Sequence, residues 1–310
     1  MLRKKAWRIH AFGDISDMRL DDVPQSDVAD REVLIRVLAA SVNAADLLIA
    51  RGLFPRIRQT DLPVTLGCDF VGIVERSGTD GGQFRAGDAV YGMAKLRDGS
   101  FAECVVAEPE ALAPVPMPCE DLAAFAAIPL AALTAWQGLF KHGNVQSGQR
   151  VLILGAAGGV GHFAVQIACH AGATVYATGS DDDVGFLTDL GAHEVVDRNE
   201  PLEGQCADID LVLDLVGGPT QESASRVLNA DGAIVSAVSD PNRRLGAAGG
   251  RPGCRFICQR DRRDFEQLSL LVCSGRLRPR IARRIAFEQA PEALKLLDRG
   301  GTRGKIIITS

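Results

Sequence analysis

The chain has 310 residues, enough for one large or two ordinary domains with their own hydrophobic cores. Apolar residues make up 46% and charged residues 24%, which is typical of a soluble globular protein. The 34 Lys+Arg against 39 Asp+Glu give a net charge of −5, so nucleic acid is not expected as the main partner.

Three features bear on the compartment. Residues 1–8 are basic, but the apolar stretch of a secretory signal does not follow them. The longest weakly polar run, residues 122–136, is shorter than the roughly 18 residues of a membrane helix. The eight cysteines form no Cys-x-x-Cys pair and no regular framework. We therefore expect no membrane span, reduced thiols and a cytoplasmic protein.

The beginning and the end of the chain predict one β-rich unit, 1–119 and 259–310. Short strands predicted at 33–40, 70–76, 88–93 and 101–107 are separated by Gly, Asp and Pro turns, which indicates a barrel. The C-terminal part predicts helices around 265–273 and 291–297 and a strand at 305–309. These elements cannot form a domain alone, so we expect them to complete the β-rich unit.

The middle of the chain, 120–258, predicts an α/β unit. Apolar strands alternate with helical stretches such as 184–190 and 219–228, which implies a parallel sheet with right-handed crossovers. Six strands suit a doubly wound Rossmann fold. The predicted strands are 150–154, 174–178, 194–196, 209–215, 233–238 and 255–258.

The most informative motif is a glycine turn between a predicted strand and a predicted helix. Four apolar residues, 151–154, precede the turn, and apolar residues at helical spacing follow it. Glycines at 155, 158 and 161 allow a tight turn, close approach to a pyrophosphate and close helix packing. We expect the cofactor phosphates to contact this turn, at Gly155, Ala157, Gly158, Gly159, Val160 and Gly161.

Eight segments, in order along nearly the whole chain, resemble the medium-chain dehydrogenase/reductase superfamily. Within it, they resemble the zinc-free branch of quinone oxidoreductases and enoyl reductases. The segments are SVNAAD (41–46), LGCDFVG (66–72), GDAVYG (87–92), LAALTAW (130–136), the glycine turn, LGA (190–192), VLDLVGG (212–218) and TRGK (302–305).

The resemblance implies a chaperonin-10-like barrel, a Rossmann domain and an active site in the cleft between them. It implies hydride transfer from a nicotinamide cofactor to a quinone or an α,β-unsaturated carbonyl. Asn43 would contact the substrate oxygen, unless it only caps a loop. Thr134 would bond the nicotinamide half, unless its hydroxyl only bonds its own helix. Further cofactor contacts are implied at Val216, Gly217 and Lys305.

No metal is expected. Zinc-dependent relatives have a cysteine near the position of Asn43 and a His-Glu pair where this chain has Cys68 and Asp69. Only Cys68 remains as a soft ligand, whereas a catalytic zinc needs three protein ligands. Several relatives have a Tyr or Lys at the position of Leu48, so the sequence does not identify the group that donates the proton. We assign no catalytic role to Tyr91 or to Asp69.

The cofactor is predicted to be NADPH, with NADH possible. The second strand ends in Gly179 and Ser180, where an NAD-binding fold has an acid for the ribose 2′-hydroxyl. The following run, 181–183, is three aspartates, which would repel a 2′-phosphate. Arg198 is predicted to supply the positive charge, although it could also be a solvent-facing arginine.

Three functions stay open: a reductase of small quinones or enones, an enoyl reductase acting on a CoA or acyl-carrier thioester, and a nucleotide-binding protein without turnover. Ten arginines within 251–284 favour the second, because both carriers are acidic, although a solvated face explains them as well. Relatives pair the last Rossmann strand, 255–258, across a two-fold axis, so a homodimer is expected.

Overall fold

The computed structural model describes residues 2–80, 82–241 and 253–310. It divides into two compact units. The first comprises Met1–Leu130, Arg260–Cys273 and Ile281–Ser310, and the second Ala131–Gln259 and Ser274–Arg280. This division differs from the predicted one at 120–130, which belong to the first unit, and at 259 and 274–280, which belong to the second.

The strands, in chain order, are β1 (Arg3–Ile9), β2 (Arg19–Pro24), β3 (Val33–Ser41), β4 (Val64–Thr65), β5 (Asp69–Ser77), β6 (Ala89–Met93), β7 (Cys104–Ala107), β8 (Leu112–Pro114), β9 (Arg150–Leu154), β10 (Thr174–Gly179), β11 (Glu194–Asp197), β12 (Ile209–Asp214), β13 (Leu228–Ser236), β14 (Cys254–Arg255), β15 (Ile281–Ala286) and β16 (Lys305–Thr309).

The α-helices are α1 (Ala44–Ala50), α2 (Pro129–Trp136), α3 (Gly161–His170), α4 (Val184–Asp189), α5 (Gly218–Ala224), α6 (Arg262–Cys273) and α7 (Ala290–Arg299). A π-helical turn, Gln137–His142, continues α2. None of the helices in the described ranges is long and apolar enough to cross a membrane.

The first unit is built on two sheets. The larger has the strand order β15-β16-β3-β5-β6-β8, with β7 also paired to β3, and the smaller has the order β2-β1-β4. A core of buried apolar side chains, among them Val33, Ile35, Phe70 and Val90, comes from β3, β5 and β6. The β-rich character expected of this unit is confirmed, while β1, β2, β4, β8 and β15 were not predicted.

The second unit is a parallel six-stranded sheet with the order β11-β10-β9-β12-β13-β14. Renumbered from β9, this is the doubly wound 3-2-1-4-5-6 order of a Rossmann fold, so the predicted α/β class is confirmed. Two predicted strands were misplaced: β13 begins earlier, at Leu228, and β14 is a two-residue strand, Cys254–Arg255, rather than 255–258.

Candidate functional site

The glycine turn lies between the central strand β9 and α3. Gly155 has φ +74°, a conformation that favours glycine, and its N–H donates to Thr178 Oγ1 at 2.9 Å. The turn closes with a bond from Gly158 N to Gly155 O at 3.1 Å. A Cβ on Gly161 would lie 2.6 Å from Ala156 Cα and against Gly155 O, so only glycine lets the helix pack so closely.

The turn fits a phosphate group. Among the described residues, a Cβ at Gly158 would meet only Gly155 O, at 3.3 Å, so the side of Gly158 on which a Cβ would lie is open. The N–H groups of His162, Phe163 and Ala164 in the first turn of α3 donate to main-chain oxygens of the glycine turn, at 3.1, 3.1 and 3.0 Å. A phosphate would therefore be held by amides of the turn itself, at the positive end of the helix. The predicted contacts from Gly155 to Gly161 are therefore brought together in one cradle.

The helix that follows the turn is held by the segment Ser274–Arg280. Gln166 exchanges two hydrogen bonds with the main chain of Arg278, at 2.8 and 3.1 Å. His162, fully buried, accepts from Arg280 N at 3.3 Å on Nε2, and its Nδ1 lies 3.1 Å from Gly158 O. Sequence reasoning missed these two side chains, which tie the turn to a distant segment.

The end of β10 holds the residues predicted to select the cofactor. Ser180 donates through its N–H and its hydroxyl to Asp183 Oδ2, at 2.9 and 2.7 Å, and Asp183 is buried. Asp183 thus caps the turn that precedes α4, while Asp181 and Asp182 are exposed. Arg198 N donates to Gly179 O at 2.8 Å, which brings its exposed side chain beside this strand end.

Two more predicted cofactor residues, Val216 and Gly217, follow β12. Their N–H groups both donate to Asp214 Oδ1, at 3.0 and 2.8 Å. Val216 is 48% exposed, whereas Thr134 lies buried on α2.

The first unit contains a buried polar cluster around Asn43. The ammonium of Lys305 donates to Asn43 Oδ1 at 2.6 Å and to Val42 O at 2.9 Å, and it lies 3.8 Å from Asp69 Oδ2. Asn43 Nδ2 donates to Asp69 Oδ2 at 2.9 Å and more loosely to Ser41 O at 3.3 Å. The orientation of the amide is therefore fixed by Lys305 on one side and by Asp69 on the other.

This arrangement changes the roles assigned to two residues. Lys305 was predicted as a cofactor contact, but its ammonium is enclosed by protein oxygens and the residue is only 3% exposed. Its contacts make it a partner of Asn43. Asp69, assigned no role from the sequence, also accepts from Ser41 Oγ at 3.0 Å and from Leu130 N at 2.9 Å.

A second buried carboxylate, Asp46, closes the loop before α1. It accepts from Asn43 N at 2.8 Å and from Gly67 N at 3.0 Å. Burial raises the pKa of Asp46 to about 7, because the charged form loses its hydration. Burial also raises the pKa of Asp69, which Lys305 opposes, and it lowers the pKa of Lys305.

We expect the stability of the fold to depend on pH through Asp46. Its pKa is 3.8 when unfolded and about 7 when folded, so the neutral form stabilises the fold. That contribution is complete below pH 3.8 and is lost as the pH rises through about 7. Between roughly pH 5 and 8, wild type should lose about 2–3 kcal/mol that Asp46→Asn does not lose. Urea unfolding of both proteins at the two pH values measures this difference, and parallel pH profiles would contradict it.

Tyr91 is a packing residue. Its ring is fully buried and meets the Phe265 ring edge-on at 6.1 Å, and its hydroxyl bonds Ser269. Burial raises its pKa above the ordinary range. Leu48 is 41% exposed. Within 2–80, 82–241 and 253–310, no group of three His, Cys, Asp or Glu side chains is placed to hold a metal ion.

The sheet order and the glycine turn define a dinucleotide-binding α/β unit, carried on one chain with a β-rich unit. Residues 29–117 match the alcohol dehydrogenase GroES-like domain family, and residues 190–308 match the zinc-binding dehydrogenase family. The chain is 32% identical to the 2-methylene-furan-3-one reductase of Solanum lycopersicum, over 98% of this chain and 78% of that protein. It belongs to the medium-chain dehydrogenase/reductase superfamily.

Two further relatives cover almost the whole chain. The chloroplastic NADPH-dependent alkenal/one oxidoreductase of Arabidopsis thaliana is 28% identical over 98% of this chain and 79% of that protein. The solved structure of the quinone oxidoreductase from Coxiella burnetii superposes with a TM-score of 0.94 at 32% identity, over 100% of both chains.

Proposed function

We propose that the protein is a reductase that uses a nicotinamide cofactor to reduce quinones or α,β-unsaturated carbonyls. The observation that carries this proposal is the glycine turn on the first strand of a 3-2-1-4-5-6 sheet. The relatives named for furanone, alkenal/one and quinone reduction support the acceptor class. The cofactor, when bound, supplies the hydride.

The residues of the chain bind and orient. The glycine turn at the positive end of α3 holds the pyrophosphate, and Thr134 holds the nicotinamide half. Val216 and Gly217 contribute further contacts to the cofactor. Asn43 donates a hydrogen bond from Nδ2 to the acceptor oxygen. The Nδ2–H that now points to Ser41 O, at 3.3 Å, makes the longer of its two contacts and is the one that would switch to the substrate. Lys305 keeps the amide in that orientation.

The test is the oxidation of NADPH by the purified protein with a simple quinone, a small enone or no acceptor. We expect acceptor-dependent loss of NADPH absorbance over many turnovers. Binding of NADPH without any turnover would support the alternative, a nucleotide-binding protein without catalysis. Failure to bind either nicotinamide dinucleotide would contradict the proposal altogether.

NADPH is the proposed cofactor because Arg198 lies beside Gly179 at the end of β10. We expect Arg198→Ala to lower kcat/KM for NADPH about tenfold, the loss of one charge-assisted contact, and to leave NADH unchanged. Steady-state kinetics with both cofactors measure this. Arg226→Ala, which breaks an exposed pair with Glu203 in the same unit, is the matched control. An unchanged cofactor preference in Arg198→Ala would remove Arg198 from the site.

The reaction is proposed to need no zinc. The Lys305 ammonium lies 3.8 Å from Asp69 Oδ2, and a cation already in this cluster disfavours a second one. We expect the purified active enzyme to contain far less than one zinc per chain by elemental analysis and to keep its activity after chelation. Stoichiometric zinc that is removed together with the activity would overturn this.

A thioester of CoA or of an acyl carrier is the second candidate substrate. Arg278 and Arg280, whose main chains bond α3, are exposed together with Arg276, and an acidic carrier fits such a surface. Arg251, part of the predicted cluster, lies outside the described residues, while Arg262 and Arg284 pair with Glu266 and Asp121. If Arg276→Glu leaves thioester turnover and its salt dependence unchanged, this arginine surface does not dock the carrier, and the argument for a carrier-bound substrate falls.

A homodimer in the cytoplasm is the proposed state of the protein. In the described part of the sheet, β14 is an edge strand that pairs with β13, and an edge strand of this kind supports pairing with a second copy. None of the cysteines in the described residues forms a disulfide, as expected in a reducing compartment. Light scattering should give twice the mass of one chain, and a monomer mass would contradict pairing.

A further inference from the structure

Asp214 is the last residue of β12, and its fully buried carboxylate accepts four hydrogen bonds. Oδ1 takes the N–H groups of Val216 and Gly217, at 3.0 and 2.8 Å. Oδ2 takes Gln221 Nε2 at 2.8 Å and the hydroxyl of Ser236 at 2.6 Å. One side chain thus fixes the loop after its own strand and reaches the neighbouring strand.

Ser236 extends this connection to the next loop. It is the last residue of β13 and stands opposite Asp214 in the parallel register. Because its hydroxyl hydrogen goes to Asp214, its oxygen accepts the N–H groups of Val238 and Ser239, both at 3.1 Å. Asp214 therefore holds Val216 and Gly217 after β12 directly, and Val238 and Ser239 after β13 through Ser236.

The two loops also pack on each other and on the glycine turn. A Cβ on Gly217, which has φ +77°, would lie 3.1 Å from Ser239 Oγ and 3.2 Å from Val238 Cγ1. A Cβ on Gly155 would lie 3.1 Å from Val216 Cγ2. A shift of the loop at Val216 would therefore change the packing against Gly155, in the turn that is proposed to hold the phosphates.

We propose that Asp214 is a positioning residue that presets, directly and through Ser236, the two loops at the carboxyl edge of the sheet for the dinucleotide. This role rests on the proposed function. Ligands of open α/β sheets bind at that edge, and a loop that is already ordered binds without the entropy loss of being ordered. Asp214 itself, being buried beneath the loops, does not touch the cofactor.

Two single variants each remove the hydrogen bond between Ser236 and Asp214. Asp214→Asn keeps Oδ1 for Val216 and Gly217, but its Nδ2 would face Ser236 Oγ, whose hydrogen loses its acceptor. The same Nδ2 would also face Gln221 Nε2, which loses its acceptor in this variant and not in Ser236→Ala. Ser236→Ala removes the link from the other side. We expect each to raise the Kd for NADPH about five- to tenfold, and the double variant to raise it no further than Asp214→Asn alone, because the bond between Asp214 and Ser236 is lost in all three.

Asp210→Asn is the matched control. Asp210 lies on the same strand, at its amino end, where it accepts from Arg150 N and from Asn229 Nδ2, both at 2.7 Å. It should leave the Kd unchanged. Fluorescence titration with NADPH gives the Kd, and amide hydrogen exchange without cofactor reports on the loops. Exchange should accelerate at Val238 and Ser239, and not at Val216 and Gly217, in both single variants.

The outcomes are separable. A Kd for Asp214→Asn and Ser236→Ala equal to that of Asp210→Asn, with wild type binding normally, overturns the role of Asp214 alone. Full additivity in the double variant overturns it too, because the two residues would then act independently. Absence of dinucleotide binding by wild type overturns the proposed function, and this role with it.

Discussion

Gly161→Ala should unfold far more easily than wild type and should bind NADPH at least a hundredfold more weakly. The added methyl carbon would lie 2.6 Å from both Ala156 Cα and Ala156 O and against Gly155 O. All three atoms are main chain, so no side-chain rotation relieves the overlap, and α3 must move away from β9. Overpacking of this kind costs about 3 kcal/mol.

Gly158→Ala is the matched control, three residues earlier in the same turn. Its Cβ would meet only Gly155 O, at 3.3 Å, and its φ is not in the left-handed region. We expect its stability to stay within about 1 kcal/mol of wild type. Its cofactor affinity should still fall, because the methyl occupies the open side of the cradle. Urea unfolding and NADPH titration separate the two effects, and equal stability of the two variants would contradict the packing role of Gly161.

The Rossmann half was predictable because its signals are local. The strand β9 is an unbroken apolar run, buried on both faces, and the glycine turn follows it at once. The order of the sheet then follows from alternating strands and helices. The ends of β13 and β14 were missed because neither carries a continuous apolar pattern, as Asn229 and Asp231 within β13 illustrate.

The first strand of the β-rich unit was not predictable from apolar periodicity. β1 has the sequence RKKAWRI, in which Lys4 occupies an inward position and is only 3% exposed. Its ammonium donates to Asp98 Oδ1 at 2.9 Å and to Cys104 O at 3.0 Å. A lysine in a core position is rare without partners, and these partners lie about a hundred residues away in the sequence.

The candidate site shows the same limit. Asn43 was identified because it belongs to a motif, and the motif says nothing of what holds its amide. The partner is Lys305, 262 positions later, which a one-dimensional pattern cannot connect to Asn43. Asp214 was likewise part of a quoted motif, but its bond with Ser236 depends on the register between β12 and β13.

Lys305→Met should destabilise the protein by about 3–5 kcal/mol, the second large effect that we expect. The Asp69 carboxylate is fully buried, and the Lys305 ammonium is the nearest cation to it in the cluster. The ammonium also donates to Asn43 Oδ1 and to Val42 O. Removing it leaves a buried negative charge and two carbonyl-type oxygens without their donor. Lys295→Met, which loses only an exposed pair with Glu292, is the control and should cost less than about 1 kcal/mol.

The double variant Lys305→Met, Asp69→Asn should be more stable than the sum of the single losses by at least about 1 kcal/mol. In Asp69→Asn alone, the new Nδ2 faces Asn43 Nδ2, so two donors oppose each other. The Asn43 amide cannot turn over to relieve this, because its Oδ1 accepts from the Lys305 ammonium. Without the ammonium, the Asn43 amide can turn and present its oxygen to residue 69. Urea unfolding of the four proteins at one pH completes the cycle. Strictly additive losses would mean that Lys305 and Asp69 stabilise the fold independently, because a shared network cannot lose the same interaction twice.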